Sequence, residues 1–140
     1  IRTASRGARL GFTDLSQGMM PWDGGSQRLA RSVGRSRALE LLLTGRLITA
    51  KEALAMGLIS LVSSKNGALA EAQELATDIV EVAPIAAQYT KEAVIKGMDL
   101  SLQHGLELEA DLSFILQSTS DRVEGIRSFL DKRPPKFIGE

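Results

Sequence analysis

The tightest constraint on how this chain can fold is the stretch at residues 18–29, GMMPWDGGSQRL, with Asp14 four positions ahead of it. Pro21 cannot continue a helix, and Gly24 and Gly25 admit backbone conformations and close approaches that a Cβ would block. From Ser26 the pattern turns helical, with Leu29, Ala30 and Val33 on one side and Gln27, Arg28 and Arg31 on the other. The stretch is therefore a loop that opens a helix, a piece of backbone suited to facing a ligand. Asp23 is expected to cap that helix by accepting from the free amides of its first turn.

The rest of the chain is organised around this loop. Residues 1–4 and 10–12 read as two brief strands whose backbone groups need partners from outside the chain. After Gly34, Ser36 is expected to cap a second helix with an apolar stripe of Ala38, Leu39, Leu42 and Leu43, stopped at Gly45. Thr49 with Glu52 three residues on forms a capping box for a short third helix ending at Gly57. Residues 58–62 read as a buried strand, and residues 63–67, SSKNG, as a turn and the clearest seam, giving two regions, 1–62 and 63–140. Beyond the seam, helices are expected at 68–82, 84–96, 100–118 and 121–132, with Pro84 in a first turn, Asp121 as a cap, and 133–136 extended.

Composition narrows the function. Seventeen basic and seventeen acidic residues cancel, so charge announces neither a nucleic-acid nor a membrane partner, and no apolar run approaches membrane-spanning length. The absence of cysteine removes disulfides, thiolate metal sites and a cysteine nucleophile, and suits a reducing compartment. No metal site is indicated. His104, the sole histidine, lies in a helical stretch without an acidic or hydroxyl partner pattern and reads as a surface or interface residue. Arg28, Arg31, Arg35 and Arg37 suggest phosphate contacts, but a solvated helix face is the plainer reading. Leu102, Leu106, Leu108, Leu112, Ile115 and Leu116 exceed a narrow stripe, so that helix either packs fully within the chain or meets another subunit.

The ordered string of Gly18, Pro21, Gly24, Gly25, Ser26, Gln27, Arg28 and Leu29 continues with Val33, Gly34, Ala38, Glu40, Leu43, Thr44 and Gly45. It then runs through Ala50, Ala53, Gly57, Leu58 and Ile59. This string resembles the enoyl-CoA hydratase/isomerase (crotonase) family, which carries a loop of the form G-x-x-P-x-x-G-G-T-Q-R-L followed by two similar helical runs. The likeness extends to residues 124–126 and 129–133 and so covers essentially the whole chain. It implies an α/β crotonase fold of which this chain is the mainly α-helical C-terminal half with a few short strands. Residues 1–62 would be the end of the sheet, the active-site loop and helices, and residues 63–140 the helical trimerisation region. Family members are about twice this length, so the chain is expected to be a cut piece or one subunit of a split enzyme. Its expected partners are the missing N-terminal half, an acyl-CoA substrate, and copies of itself in a homotrimer or a dimer of trimers.

The chemistry the resemblance implies is addition of water to a 2-enoyl-CoA thioester. That reaction needs donors for charge developing on the thioester oxygen, and acids or bases that place water and deliver a proton to the α-carbon. A gapless count from Gly18 puts Asp14 where the second of the family's two acids stands, whereas the first acid and one oxyanion amide would precede Ile1. Aspartate is one methylene shorter than the usual glutamate, and a displacement on the order of 1 Å can cost about a hundredfold in rate. From its residue type alone Asp14 would be a solvated loop carboxylate or a local turn former. Asp23 is the second catalytic candidate, offset by one position from the working aspartate of some isomerase and dehalogenase branches. Pro21, Trp22 and Gly24 are expected at the acyl pocket, and Phe129 and Lys132 near bound coenzyme A, which enters as part of the substrate and not as a bound cofactor. The alternatives are an enoyl- or dienoyl-CoA isomerase and, in a different class, a non-catalytic assembly module. The compartment implied is the bacterial cytoplasm, with an organelle as the alternative.

Overall fold

The computed structural model describes residues 1–63 and 67–140. They form two compact units, Ile1–Glu74 and Leu75–Glu140. The turn expected at 63–67 falls largely on residues outside the described set.

Unit 1 holds the strands and the buried core. Strand β1 (Thr3–Ala4) pairs in parallel with β4 (Leu61–Val62), and β2 (Arg9–Leu10) pairs antiparallel with β3 (Ile48–Thr49). The two N-terminal strands thus find partners later in the same chain, contrary to the expectation that they need strands from elsewhere. Between them lie a 3-10 turn (Asp14–Gln17) and helices α1 (Gly25–Val33) and α2 (Arg35–Thr44), which pack on each other, followed by α3 (Ala50–Ala55). Leu29 and Val33 of α1, Ala38, Leu41 and Leu42 of α2, Ile48, Ala50, Ala53 and Ile59 make the core, while Gln27, Arg28 and Arg31 face solvent.

Local signals decide where these helices start and stop. The Thr49 hydroxyl accepts from the Glu52 amide, and the Glu52 carboxylate accepts from the Thr49 amide at 2.8 Å, completing the capping box of α3. Gly45 ends α2 in the left-handed conformation. One expected cap and one expected face are corrected in α2. Gly34 occupies the N-cap of α2 and Ser36 lies inside the helix, because the chain bends at Gly34 itself. The buried stripe of α2 is Ala38, Leu41 and Leu42, with Leu39 and Leu43 exposed. Packing against α1 selects the face, which is rotated from the one the spacing suggested.

Unit 2 is helical. Helix α4 (Ala68–Val80) leads into it, and α5 (Pro84–Gly97), α6 (Leu102–Leu116) and α7 (Ser120–Leu130) follow, α5 and α6 packing together. Pro84 stands in the first turn of α5 as expected. The cap of α7 is Thr119, whose hydroxyl accepts from the Arg122 amide. Asp121 sits inside the first turn and turns its carboxylate to the chain terminus instead. Ser101 caps α6, and its Oγ lies 3.0 Å from His104 Nδ1, so the histidine does have a hydroxyl partner. The only buried residues described in unit 2 are Asp121 and Ser128, and Leu102, Leu106, Phe114 and Ile115 of α6 are all exposed.

Candidate active site

Unit 1 contains an open cavity of about 720 Å³, and the loop of residues 18–29 forms one side of it. Asp14, Pro21, Trp22, Asp23 and Gly24 all line this space. Phe12, Leu29, Leu41, Ile48 and Ile59 give it an apolar wall, and Arg2, Arg9 and Arg28 also line it.

Each loop position has a local cause. Asp14 begins the 3-10 turn, where its carbonyl accepts from the amide of Met19 at 3.0 Å, and Gly18 closes the turn at φ 71°. The backbone beneath the Asp14 carboxylate is thereby tied, in keeping with its reading as a local turn former. At the other end, Asp23 and Gly24 are consecutive left-handed residues at φ 55° and 81°, a conformation that aspartate tolerates better than most side chains and glycine adopts freely. The amide of Gly25 donates to the carbonyl of Trp22 at 3.0 Å, so the chain turns sharply before α1 begins. Asp23 is therefore one position too early, with the wrong backbone, to cap α1. The N-cap is Gly24, with no side-chain cap bond.

Gly25 is required for a different reason. A Cβ on it would sit 2.9 Å from Phe12 Cε1 and 3.2 Å from Pro21 Cβ, so its bare backbone lets Phe12 and Pro21 close over the start of α1. Pro21 is buried in consequence, and Trp22 beside it is 79% exposed at the edge of the cavity.

Neither Asp14 nor Asp23 makes a hydrogen bond or ion pair through its carboxylate among the described residues, and both residues line the cavity. The strongly perturbed carboxylates lie outside the cavity. Glu52 is held at about 2, first by the Thr49 amide, then by the Thr49 hydroxyl and Arg46. Glu124 is held at about 2, first by the Arg133 guanidinium and then by the Lys136 amide. Both serve structure.

Phe129 and Lys132 belong to unit 2, at and just beyond the end of α7; Phe129 is 82% exposed and Lys132 is left-handed at φ 53°. Among the described residues no group of three or more His, Asp or Glu is placed to hold a metal ion, and no helix is long and apolar enough to cross a membrane. Sequence reasoning did not single out Phe12, Arg2 or Arg9 for the site. Arg2 and Arg9 reach it from strands, through pairings that no local pattern announces. Arg28 is exposed on α1, as a solvated helix face requires, and it also lines the open cavity.

A chain with this loop-to-helix element and this fold matches known proteins along its whole length. The family model described as enoyl-CoA hydratase/isomerase matches residues 1–140, and the chain belongs to that family. The 2,3-dehydroadipyl-CoA hydratase of Escherichia coli is 42% identical over 139 residues, covering 99% of this chain and 54% of that protein. The mitochondrial methylglutaconyl-CoA hydratase of Mus musculus is 38% identical, covering 100% of this chain and 46% of that protein. The crystal structure of the enoyl-CoA hydratase of Bacillus anthracis superposes with a TM-score of 0.96 at 38% identity, over 100% of this chain and 54% of that one. The chain spans about half the length of the curated relatives it matches. The fold is the crotonase fold, seen here as helices with a few short strands.

Proposed function

We propose that this chain supplies the loop-and-helix side of an enoyl-CoA hydratase active site, in which water adds across the double bond of a 2-enoyl-CoA thioester. The observation that carries this reading is that Asp14 and Asp23, in a chain of the hydratase/isomerase family, line one cavity with otherwise unbonded carboxylates. In the proposed reaction, the oxygen of water bonds to the β-carbon as its proton passes to a carboxylate. The π electrons move toward the thioester oxygen, and a proton from an acid completes the α-carbon. Asp14 is assigned the acid/base role at the water, and Asp23 is the second proton-carrying candidate. Pro21, Trp22 and Gly24 wall the acyl group. Phe129 and Lys132 are assigned to coenzyme A by the resemblance alone.

The order of the motifs leads us to read the chain as the C-terminal half of such an enzyme, residues 1–62 completing the core and 63–140 forming the trimerisation region. On that reading the first acid and an oxyanion amide come from an N-terminal half, and the assembled enzyme is a trimer or a dimer of trimers. The bacterial cytoplasm is the proposed compartment, with an organelle as the alternative given the mitochondrial relative.

Incubation of the natural gene product carrying residues 1–140 with crotonyl-CoA tests the reading. A hydratase removes the conjugated thioester absorbance and yields the 3-hydroxyacyl product. An isomerase using Asp14 and Asp23 yields no hydrated product, and an assembly module binds without turnover.

A further inference from the structure

The Asp14 carboxylate has no bond of its own among the described residues, so its place over the cavity depends on the backbone that carries it. Leu10, Phe12 and Asp14 are half-buried, alternate with exposed Gly11, Thr13 and Leu15, and all three line the cavity. The short segment before Asp14 is clamped from two sides. A Cβ on Gly11 would lie 2.9 Å from the Arg46 carbonyl oxygen and 2.8 Å from Leu47 Cδ2, so the backbone there is pressed against the chain that follows α2. On the other side the Phe12 ring lies against the start of α1, where a Cβ on Gly25 would meet Phe12 Cε1 at 2.9 Å, Pro21 Cβ at 3.2 Å and Phe12 Cδ1 at 3.5 Å.

Phe12 and buried Pro21 thus converge on one point of the Gly25 backbone and close a compact loop, residues 12–21, on which Asp14 is carried. The loop is tied internally as well, because the amides of Ser16 and Met19 donate to the carbonyls of Thr13 and Asp14 at 3.2 and 3.0 Å. Such a loop moves as one piece, and the Phe12 ring is its anchor on the Asp14 side. A group that exchanges a proton with a bound water tolerates little displacement, since a shift on the order of 1 Å can cost about a hundredfold in rate. We infer that Phe12 is the positioning residue for Asp14, its ring beside Pro21 on the Gly25 backbone setting where the carboxylate stands over the cavity. The inference rests on the proposed acid/base role of Asp14.

The test uses the natural gene product and reads kcat for crotonyl-CoA, affinity for unreactive butyryl-CoA, and melting temperature. Phe12→Leu removes the ring atom nearest Gly25 and keeps the side chain apolar. It should lower kcat about tenfold or more while butyryl-CoA affinity stays within about threefold. Gly25→Ala pushes the ring from the other side and should lower kcat as well. In the double variant the shorter side chain makes room for the added methyl group, so kcat should exceed the product of the two separate losses. Leu42→Val, a core change at a residue that does not line the cavity, should lower the melting temperature and leave kcat within about twofold. Hydration by the unaltered protein, with Phe12→Leu no slower than Leu42→Val or with losses that simply multiply in the double variant, would overturn this inference alone. Absence of hydration by the unaltered protein would overturn the hydratase reading and the inference with it.

Discussion

The carboxylate of Asp121 holds the end of the chain: it accepts from the amide of Ile138 at 2.7 Å and from that of Gly139 at 2.9 Å, while its own amide donates to the main-chain oxygen of Glu140. Asp121 is only 3% exposed, so these bonds form where water does not compete. Glu124 reinforces them one turn later, accepting from Arg133 at 2.6 and 2.9 Å and from the Lys136 amide at 2.8 Å. Together they fasten the proline-containing tail along α7.

Replacing Asp121 by Ala should therefore free the tail. Two amides lose their acceptor, at a cost of about 1–3 kcal/mol. Asp121→Asn keeps one acceptor oxygen and should lose less. Urea unfolding gives the energy, and carboxypeptidase digestion of residues 133–140 gives the local effect, with faster trimming expected in Asp121→Ala.

The capping box of α3 makes two predictions of different kinds. Thr49→Ala should cost about 1 kcal/mol, and Thr49→Ser much less, since serine keeps the accepting oxygen. Urea midpoints check this.

The second concerns pH. Glu52 and Glu124 both titrate near 2 in the folded chain, against an unfolded value of 4.5. A depressed carboxylate contributes stability that is fully present above its unfolded value and is lost as pH falls through the folded value. Stability should thus decline between pH 4.5 and 2. Glu52→Gln and Glu124→Gln should each flatten that decline while lowering stability at neutral pH. Unfolding curves collected across this window decide it.

Gly25 offers a steric test of the site's architecture. Gly25→Ala would press a methyl group to 2.9 Å from Phe12 and 3.2 Å from Pro21. Overpacking of this kind costs roughly 1–3 kcal/mol. The variant should melt earlier and show altered Trp22 fluorescence, because Trp22 follows Pro21 directly.

What was legible in the sequence follows from how local each cause is. The Thr49–Glu52 box and Pro84 at the start of α5 act through neighbours a few residues away, and the structure shows both as read. Asp23 and Asp121 carry the right chemistry for caps, but tertiary demands redirect them. The left-handed turn at 23–24 removes Asp23 from the helix start, and the chain terminus captures Asp121. The pairings of β1 with β4 and β2 with β3 join segments about forty to sixty residues apart, which no local propensity encodes. The cavity combines both kinds of information. Its loop residues lie within one short stretch, whereas Arg2, Arg9, Leu41 and Ile48 arrive through the fold.

The most direct test of the proposed role of Asp14 is the rate of crotonyl-CoA hydration by Asp14→Asn in the natural gene product, measured beside its affinity for butyryl-CoA, a thioester that cannot react. Loss of a positioned acid/base group should lower kcat by about 100-fold or more, while butyryl-CoA binding stays within about threefold of the unaltered protein. Hydration by Asp14→Asn at the unaltered rate would contradict the account.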